Sequence, residues 1–290
     1  MTAFATPGAL KSAREHCAAL VRAHACDLWL GSLYVEPPAR EAMLAVAAFD
    51  IEIRQAALRG RDPNMLALRL AWWRDAVAGE RDEEAAGAPV ALALRAAMQD
   101  FALPRDWLEA MLDARLTEIA PEEHFDLAAF ETYASESEGA PLRLASWISA
   151  GGADLDKTQA HAPAGMAFAL ARMLALLPAR AGAAPTLFPA DVAARHGTSI
   201  GDFDARHLTV GVIAAYVELR VLAREALAEA ERRLAAAPPG VLAAFIPLGA
   251  LRLDLDRLDR NGARPFDPPA DVSPLRRQWA IWRWARRRRT

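Results

Sequence analysis

Lysine is nearly missing from these 290 residues. It occurs only at Lys11 and Lys157, so arginine carries almost all of the positive charge. Alanine and leucine are over-used alongside it, the skew of a GC-rich gene, and arginine abundance alone therefore points to no polyanion. A net charge of −3 excludes a general nucleic-acid binder. Cysteine is almost as scarce. Cys17 and Cys26 are the whole complement, and the periodicity places both on one predicted helix. Nine residues of helical rise separate their Cα atoms by about 13 Å, beyond the reach of a disulfide, so a reducing compartment is expected. His16 and His24 lie nearby, but no spacing here matches a zinc site. Long apolar runs are missing too. Stretches such as Val241–Leu251 fall short of the roughly 20 residues that cross a bilayer, and Met1–Lys11 lacks the basic start and apolar run of a signal peptide. The expectation is a cytoplasmic protein, at most peripheral at the inner face of the cytoplasmic membrane.

Alternation of apolar and polar residues is also absent, and with it any expectation of strands. Helical spacing takes its place nearly everywhere. Pro37-Pro38 opens a segment running to Gly60, and Asp62-Pro63 caps and starts the next, which stops near Gly79. On that second segment Leu66, Leu70, Trp73 and Val77 make one stripe at i, i+4, i+7 and i+11. Further helices are predicted after Pro89, Pro104 and Asp126, then over Ala162–Leu177, Thr209–Ala236, Gly240–Arg260 and Pro274–Arg288. Pro141 interrupts an otherwise helical stretch and predicts a kink or break there. No low-complexity linker and no internal repeat divides the chain, so residues 1–290 read as a single all-α domain.

Four stretches, in order, resemble the squalene/phytoene synthase family. Asp27–Arg54 is similar to a segment with a Leu/Tyr/Pro turn and a helix ending in an Ala-Phe pair, here Ala48-Phe49. Arg69-Leu70-Ala71-Trp72-Trp73-Arg74-Asp75-Ala76 resembles the R-L-x-W-W-R-x-A run of a non-classical branch, which includes the mitochondrial complex I assembly factor and its bacterial relatives. Tyr133 with Gly139 resembles a Y-x-x-x-V-A-G segment and departs from it at Ser137 and Glu138. Gly165–Pro189 resembles the segment that carries the second acidic cluster, with Leu187-Phe188-Pro189 standing where the family has Y-L-P. The matches span roughly residues 27–190. The resemblance implies an isoprenoid (terpenoid) synthase-type helical bundle with a central cavity.

It also implies a loss. Active members gather magnesium with two acidic clusters, because ionising an isoprenoid diphosphate needs oxygen-ligated cations on the leaving group. Counting from Phe49 puts the first cluster on Arg54, Gln55 and Leu58. Counting back from Pro189 puts the second on Leu176 and Arg180, and the usual Asn on Arg172. None is acidic. The nearby acids Asp50, Glu52 and Asp191 do not restore the pattern. The expectation is a catalytically degenerate protein with no metal cofactor, acting as an assembly or accessory factor whose partners are respiratory complex subunits. Two alternatives stay open. One is a prenyl transferase with an altered, magnesium-dependent site. The other is a non-catalytic carrier of an isoprenoid diphosphate or phospholipid.

Arg54, Arg172 and Arg180 admit two readings: a metal-free anion site, since guanidinium suits phosphate, or charges that are solvated or paired with Glu52 and neighbouring acids. Trp72 and Trp73 read as core packing or as a docking surface. Asp254, Asp256 and Asp259 alternate with arginines, as on a solvated, salt-bridged face. The C-terminal segment interleaves Trp279, Trp282 and Trp284 with arginines that include Arg286 and Arg287. It fits an element lying on an anionic membrane surface, or equally a basic tail that caps a helix.

Overall fold

Helix follows helix wherever a proline or a capping side chain can start one. The computed structural model describes residues 6–59, 63–118, 125–153, 158–180 and 187–287, with side chains described at all of these except 57–59, 63 and 180. Among the described residues there is no strand. The elements are α1 Pro7–His24, α2 Cys26–Ser32, α3 Ala39–Arg59, α4 Pro63–Ala78, α5 Asp82–Gly87, α6 Pro89–Phe101, α7 Arg105–Thr117 and α8 Leu127–Ala134. A π-helical turn, Ser135–Gly139, leads into α9 Ala140–Ser149. Then come α10 His161–Arg180, α11 Ala190–Arg195, α12 Ile200–Asp204, α13 Val210–Leu234, α14 Pro239–Leu242, α15 Leu248–Asn261 and α16 Pro274–Arg287.

Local chemistry explains most boundaries. Thr6, Asp126 and Thr209 accept backbone N–H groups as N-caps of α1, α8 and α13. Ser199 and Asp202 form a reciprocal capping box on α12. Pro89 and Pro239 sit in the first turns of their helices, where the missing N–H is not needed. Two expectations are corrected. The helix predicted to carry both Cys17 and Cys26 breaks at Ala25, whose φ of −144° is not helical. The helix predicted over Gly240–Arg260 is interrupted by a 3₁₀ turn at Ala243–Phe245 and restarts after Pro247, which has no N–H to continue the ladder. The short helices α5, α11 and α12 were not anticipated, being too brief to show a period.

Two apolar clusters form the core. The first draws on α1, α3, α4, α6 and α7, and holds the stripe Leu66, Leu70, Trp73 and Val77. The second draws on α8, α10, α13, α15 and α16. Helix α9 divides them: Ala140, Leu144 and Ile148 face the first and Leu142 faces the second. By length and composition His161–Ala179 could cross a membrane, which corrects the expectation that no apolar stretch is long enough. Its Ala164, Ala167, Leu170 and Leu174 are buried in the second cluster, as in the core helix of a globular bundle.

Pro141 shapes the centre. A helical N–H at position 141 would bond the carbonyl of Ser137; proline has none. The chain answers with the π-helical turn just before it, and the Ser137 carbonyl accepts a hydrogen bond from Arg115 Nη2 at 3.1 Å instead. Helix α10 packs hard onto this turn. A Cβ on Gly165 would lie 2.6 Å from the Gly139 nitrogen and 2.8 Å from the Ala134 carbonyl, so only glycine fits there.

Candidate functional site

Where α3, α7, the π-helical turn and α10 meet, six charged side chains close on one another. Arg54 comes from α3. Its Nη2 lies 2.6 Å from Asp50, one turn back on the same helix, and its Nη1 donates to Glu138 Oε1 at 3.0 Å. Arg172 comes from α10 on the opposite side, with Nη2 at 2.8 Å from the same Glu138 oxygen. Arg172 also donates to the Tyr133 hydroxyl at 2.9 Å, and that hydroxyl donates to Glu118 Oε1 at 2.7 Å. Beneath them Arg115 has no exposed side-chain surface; it pairs with Glu118 and reaches Asp50 Oδ1 at 3.3 Å. Three arginines face three carboxylates, and the formal charge of the group is zero.

Burial and neighbours compete in this group, and the neighbours win. Burial pushes the Glu138 carboxyl up, but Arg172, Arg54 and Arg115 outweigh that and hold it down at about 2. Glu118 is likewise raised by burial and then lowered overall by Arg115 and Arg172. Burial disfavours the charge on Arg54 and Arg172, yet the facing carboxylates keep both above the usual guanidinium range. Burial raises the Tyr133 hydroxyl, and Glu118 adds to it while Arg172 opposes. The shifts of Glu138, Glu118, Arg54 and Arg172 all favour the charged forms.

The structure thus joins Arg54, from the first acidic-cluster position, with Arg172, from the usual Asn position of the second segment, on elements far apart in sequence. Arg54 and Arg172 converge, as an anion site requires, but on Glu138 and Asp50 rather than on open space. Of the two readings of these arginines, Arg54 and Arg172 follow the one in which they pair with neighbouring acids. Glu52 is not their partner; it points toward His16 and Cys17, where burial raises its carboxyl and helps push the Cys17 thiol up to about 12. Leu176 lies half-buried beside Tyr133, Arg172 and Leu187. The side chains of Leu58 and Arg180 fall outside the described residues. The sequence reading missed Arg115 and Glu118. Their spacing of i, i+3 is that of a surface pair, and only the apolar neighbours Met111, Leu112 and Ala114 hint that this one is buried.

Phe49 is fully buried against Trp73, with ring centroids 5.0 Å apart. Trp72 stands edge-on to Trp73, and its indole N–H donates to Glu84 at 2.9 Å. Arg69 is exposed at the rim of a groove floored by both tryptophans, and Arg74 pairs with Asp113 on α7. Gly139 meets α10, and Pro189 is buried just before the Ala190 N–H that bonds Phe125.

A profile of the squalene/phytoene synthase family matches residues 21–283. The chain belongs to the squalene/phytoene synthase family. Its curated relatives include assembly factor 6 of NADH dehydrogenase (ubiquinone) complex I from Mus musculus, 24% identical over 268 residues, which span 92% of this chain and 80% of the relative. The Homo sapiens factor of the same name is 24% identical over 254 residues, covering 88% and 76% of the two chains. Solved structures share the fold. Squalene synthase HpnC from Alicyclobacillus acidocaldarius superposes with a TM-score of 0.71 at 20% identity, over 91% of this chain and 98% of that one. A dehydrosqualene synthase solved with a ligand reaches 0.75 at 15% identity, over 96% and 97%. The fold is that of the isoprenoid synthases.

Beside the charged group this fold leaves a cavity of about 360 Å³, walled by Leu28, Ile51, Leu142 and Phe168 and edged by Asp50 and Arg54. The residues present do not fit magnesium. The ion needs about six oxygens in a tight octahedron, but the Asp50, Glu118 and Glu138 carboxylates already accept guanidinium N–H groups, and a bound dication would stand against Arg54 and Arg172. Among the described residues no three of His, Cys, Asp or Glu converge on a metal-sized site.

The C-terminal helix separates its tryptophans. Trp284 is buried with Ile281 against α15, where Gly249 allows the contact: a Cβ there would lie 2.9 Å from the Trp284 Cβ. This corrects its assignment to a membrane-facing set. Trp279 and Trp282 are exposed and carry Arg283 and Arg286 over their rings at 5.0 and 5.3 Å. Arg287 is exposed beside them. Arg277 is drawn inward between Asp27 of α2 and Asp254 of α15, while Asp256 and Asp259 pair with Arg224 of α13.

Proposed function

We propose that this chain is a non-catalytic member of its family that serves as an assembly or accessory factor for a respiratory complex, working without a metal. One observation carries the reading. Arg54, counted onto the first acidic cluster, and Arg172, counted onto the usual Asn of the second segment, close on Glu138 in a buried, charge-neutral group. Chemistry that stabilises a departing diphosphate needs concentrated positive charge facing the leaving group. Here that charge is spent internally. Relatives named as complex I assembly factors supply the direction of the accessory role, and respiratory complex subunits are the partners it implies. The exposed Trp279 and Trp282 with their arginines support a place at an anionic membrane surface.

Two measurements test this. Purified protein incubated with farnesyl or geranylgeranyl diphosphate should release no diphosphate above background, with or without magnesium. Magnesium-dependent release favours the prenyl transferase alternative and ends the non-catalytic reading. Deleting the gene in its host should lower assembled, active NADH:ubiquinone oxidoreductase in the membranes, and re-supplying it should restore the complex. Unchanged complex levels would remove the accessory role.

A further inference from the structure

The cavity beside the charged group is in the size range of small-molecule sites. Its walls are mostly aliphatic or aromatic, and they run on past Leu28 and Leu142 to a smaller apolar void bounded by Met43, Val46 and Ala145. The shape suits one apolar chain entering end-on. What the cavity offers the other end of such a chain is decided by charge. Asp50, Arg54 and Glu138 reach its wall, two negative groups and one positive, and the exposed His24 imidazole lines it as well. Arg54 uses Nη1 and Nη2 on those two carboxylates. Turning it toward a phosphate would cost Asp50 and Glu138 one of two guanidinium partners each and set a polyanion against them, which is a strong element of rejection. Gln55 stands half-buried at the same edge, and its amide both donates and accepts.

We infer that the cavity binds a single-chain amphiphile with an uncharged hydroxyl head, and that it rejects the phosphorylated form of the same chain. The chain lies along Leu28, Ile51, Leu142 and Phe168, and the hydroxyl bonds the Gln55 amide. This deepens the non-catalytic reading of the charged group and rests on it.

Two matched pairs test it by calorimetry and thermal shift: farnesol against farnesyl diphosphate, and dodecanol against dodecyl phosphate, each below its aggregation limit and with or without magnesium. Both alcohols should bind in the micromolar range and raise the melting temperature. Their phosphorylated partners should bind at least about tenfold more weakly, unaffected by magnesium. Leu28→Trp, which fills the cavity, should weaken the alcohols by about tenfold or more. Glu138→Gln, which leaves Arg54 and Arg172 short of one carboxylate, should strengthen farnesyl diphosphate by about tenfold. Diphosphate binding as tight as the alcohol in the unaltered protein overturns the inference, and so does failure of either alcohol to bind. The unaltered protein alone decides this, even where a variant does not fold. Turnover of the diphosphate would instead sink the non-catalytic reading beneath it, so the two failures are distinct.

Discussion

Glu138 is the hinge of the charged group, since it takes both Arg54 and Arg172. Its folded-state carboxyl is held at about 2, against an ordinary value of 4.5. A depressed carboxylate contributes stability above its unfolded value, and that stability is lost as pH falls through the folded value. The window here is about pH 4.5 down to 2, and the shift corresponds to an order of 3 kcal/mol. Glu118, also lowered, acts in the same direction. Glu138→Gln should therefore lose about 3–5 kcal/mol at pH 7, the typical effect of breaking a buried pair, and should show a flatter acid limb between pH 4.5 and 2. Urea melts across that range check both; an unchanged acid limb would refute the assignment. Only part of this site was legible in the sequence. Arg54, Arg172 and Tyr133 follow from family spacing, and Asp50 lies one turn from Arg54. Glu138 showed only as a departure from a motif. That it sits between two arginines 84 and 34 residues away is a fact of packing that no local pattern encodes.

At the scale of the element, periodicity and proline located the long helices well, because capping and the missing N–H of proline act locally. It failed where a break has a tertiary cause or a short element has no period, as at Ala25 and in α11 and α12. Helix α16 shows a different failure. Its outward side carries Trp279, Trp282 and Leu275 with arginines, while its inward side carries Arg277 between two aspartates. Polarity is thus partly inverted, and the three tryptophans looked alike in sequence. They should not behave alike. Trp284→Ala removes a buried ring and should destabilise by about 3–5 kcal/mol. The double change Trp279→Ala, Trp282→Ala touches exposed rings and should move stability by no more than about 0.5 kcal/mol per site. The same double variant should lose much of its co-sedimentation with anionic liposomes at low salt, where each nearby arginine contributes about 1 kcal/mol and salt weakens the remainder. Equal sedimentation of the double variant and the unaltered chain would leave α16 as a structural element only.

The whole molecule poses a problem of cooperativity. Two apolar clusters lie on either side of α9, each large enough to be a core in its own right. Single transitions are the rule for domains under about 150 residues and become less secure beyond that. The charged group spans the join: Asp50 and Arg54 belong to α3 in the first half, Arg172 to α10 in the second, and Arg115, Glu118 and Glu138 connect them. Opening one half alone exposes or unpairs charges held by the other, so partial unfolding is penalised by every cross-join pair. The charged group then has a mechanical use, the coupling of the two halves of the fold. Native-state hydrogen exchange can read this directly, because it reports opening free energies segment by segment. In the unaltered protein the slowest amides of α3 and α6 should exchange with the same free energy as those of α10 and α13. In Glu138→Gln the two sets should separate by more than about 1 kcal/mol, since the shared partner of Arg54 and Arg172 is gone while each half keeps its own apolar contacts. If both sets fall together by the same amount, the group stabilises the fold without coupling its halves.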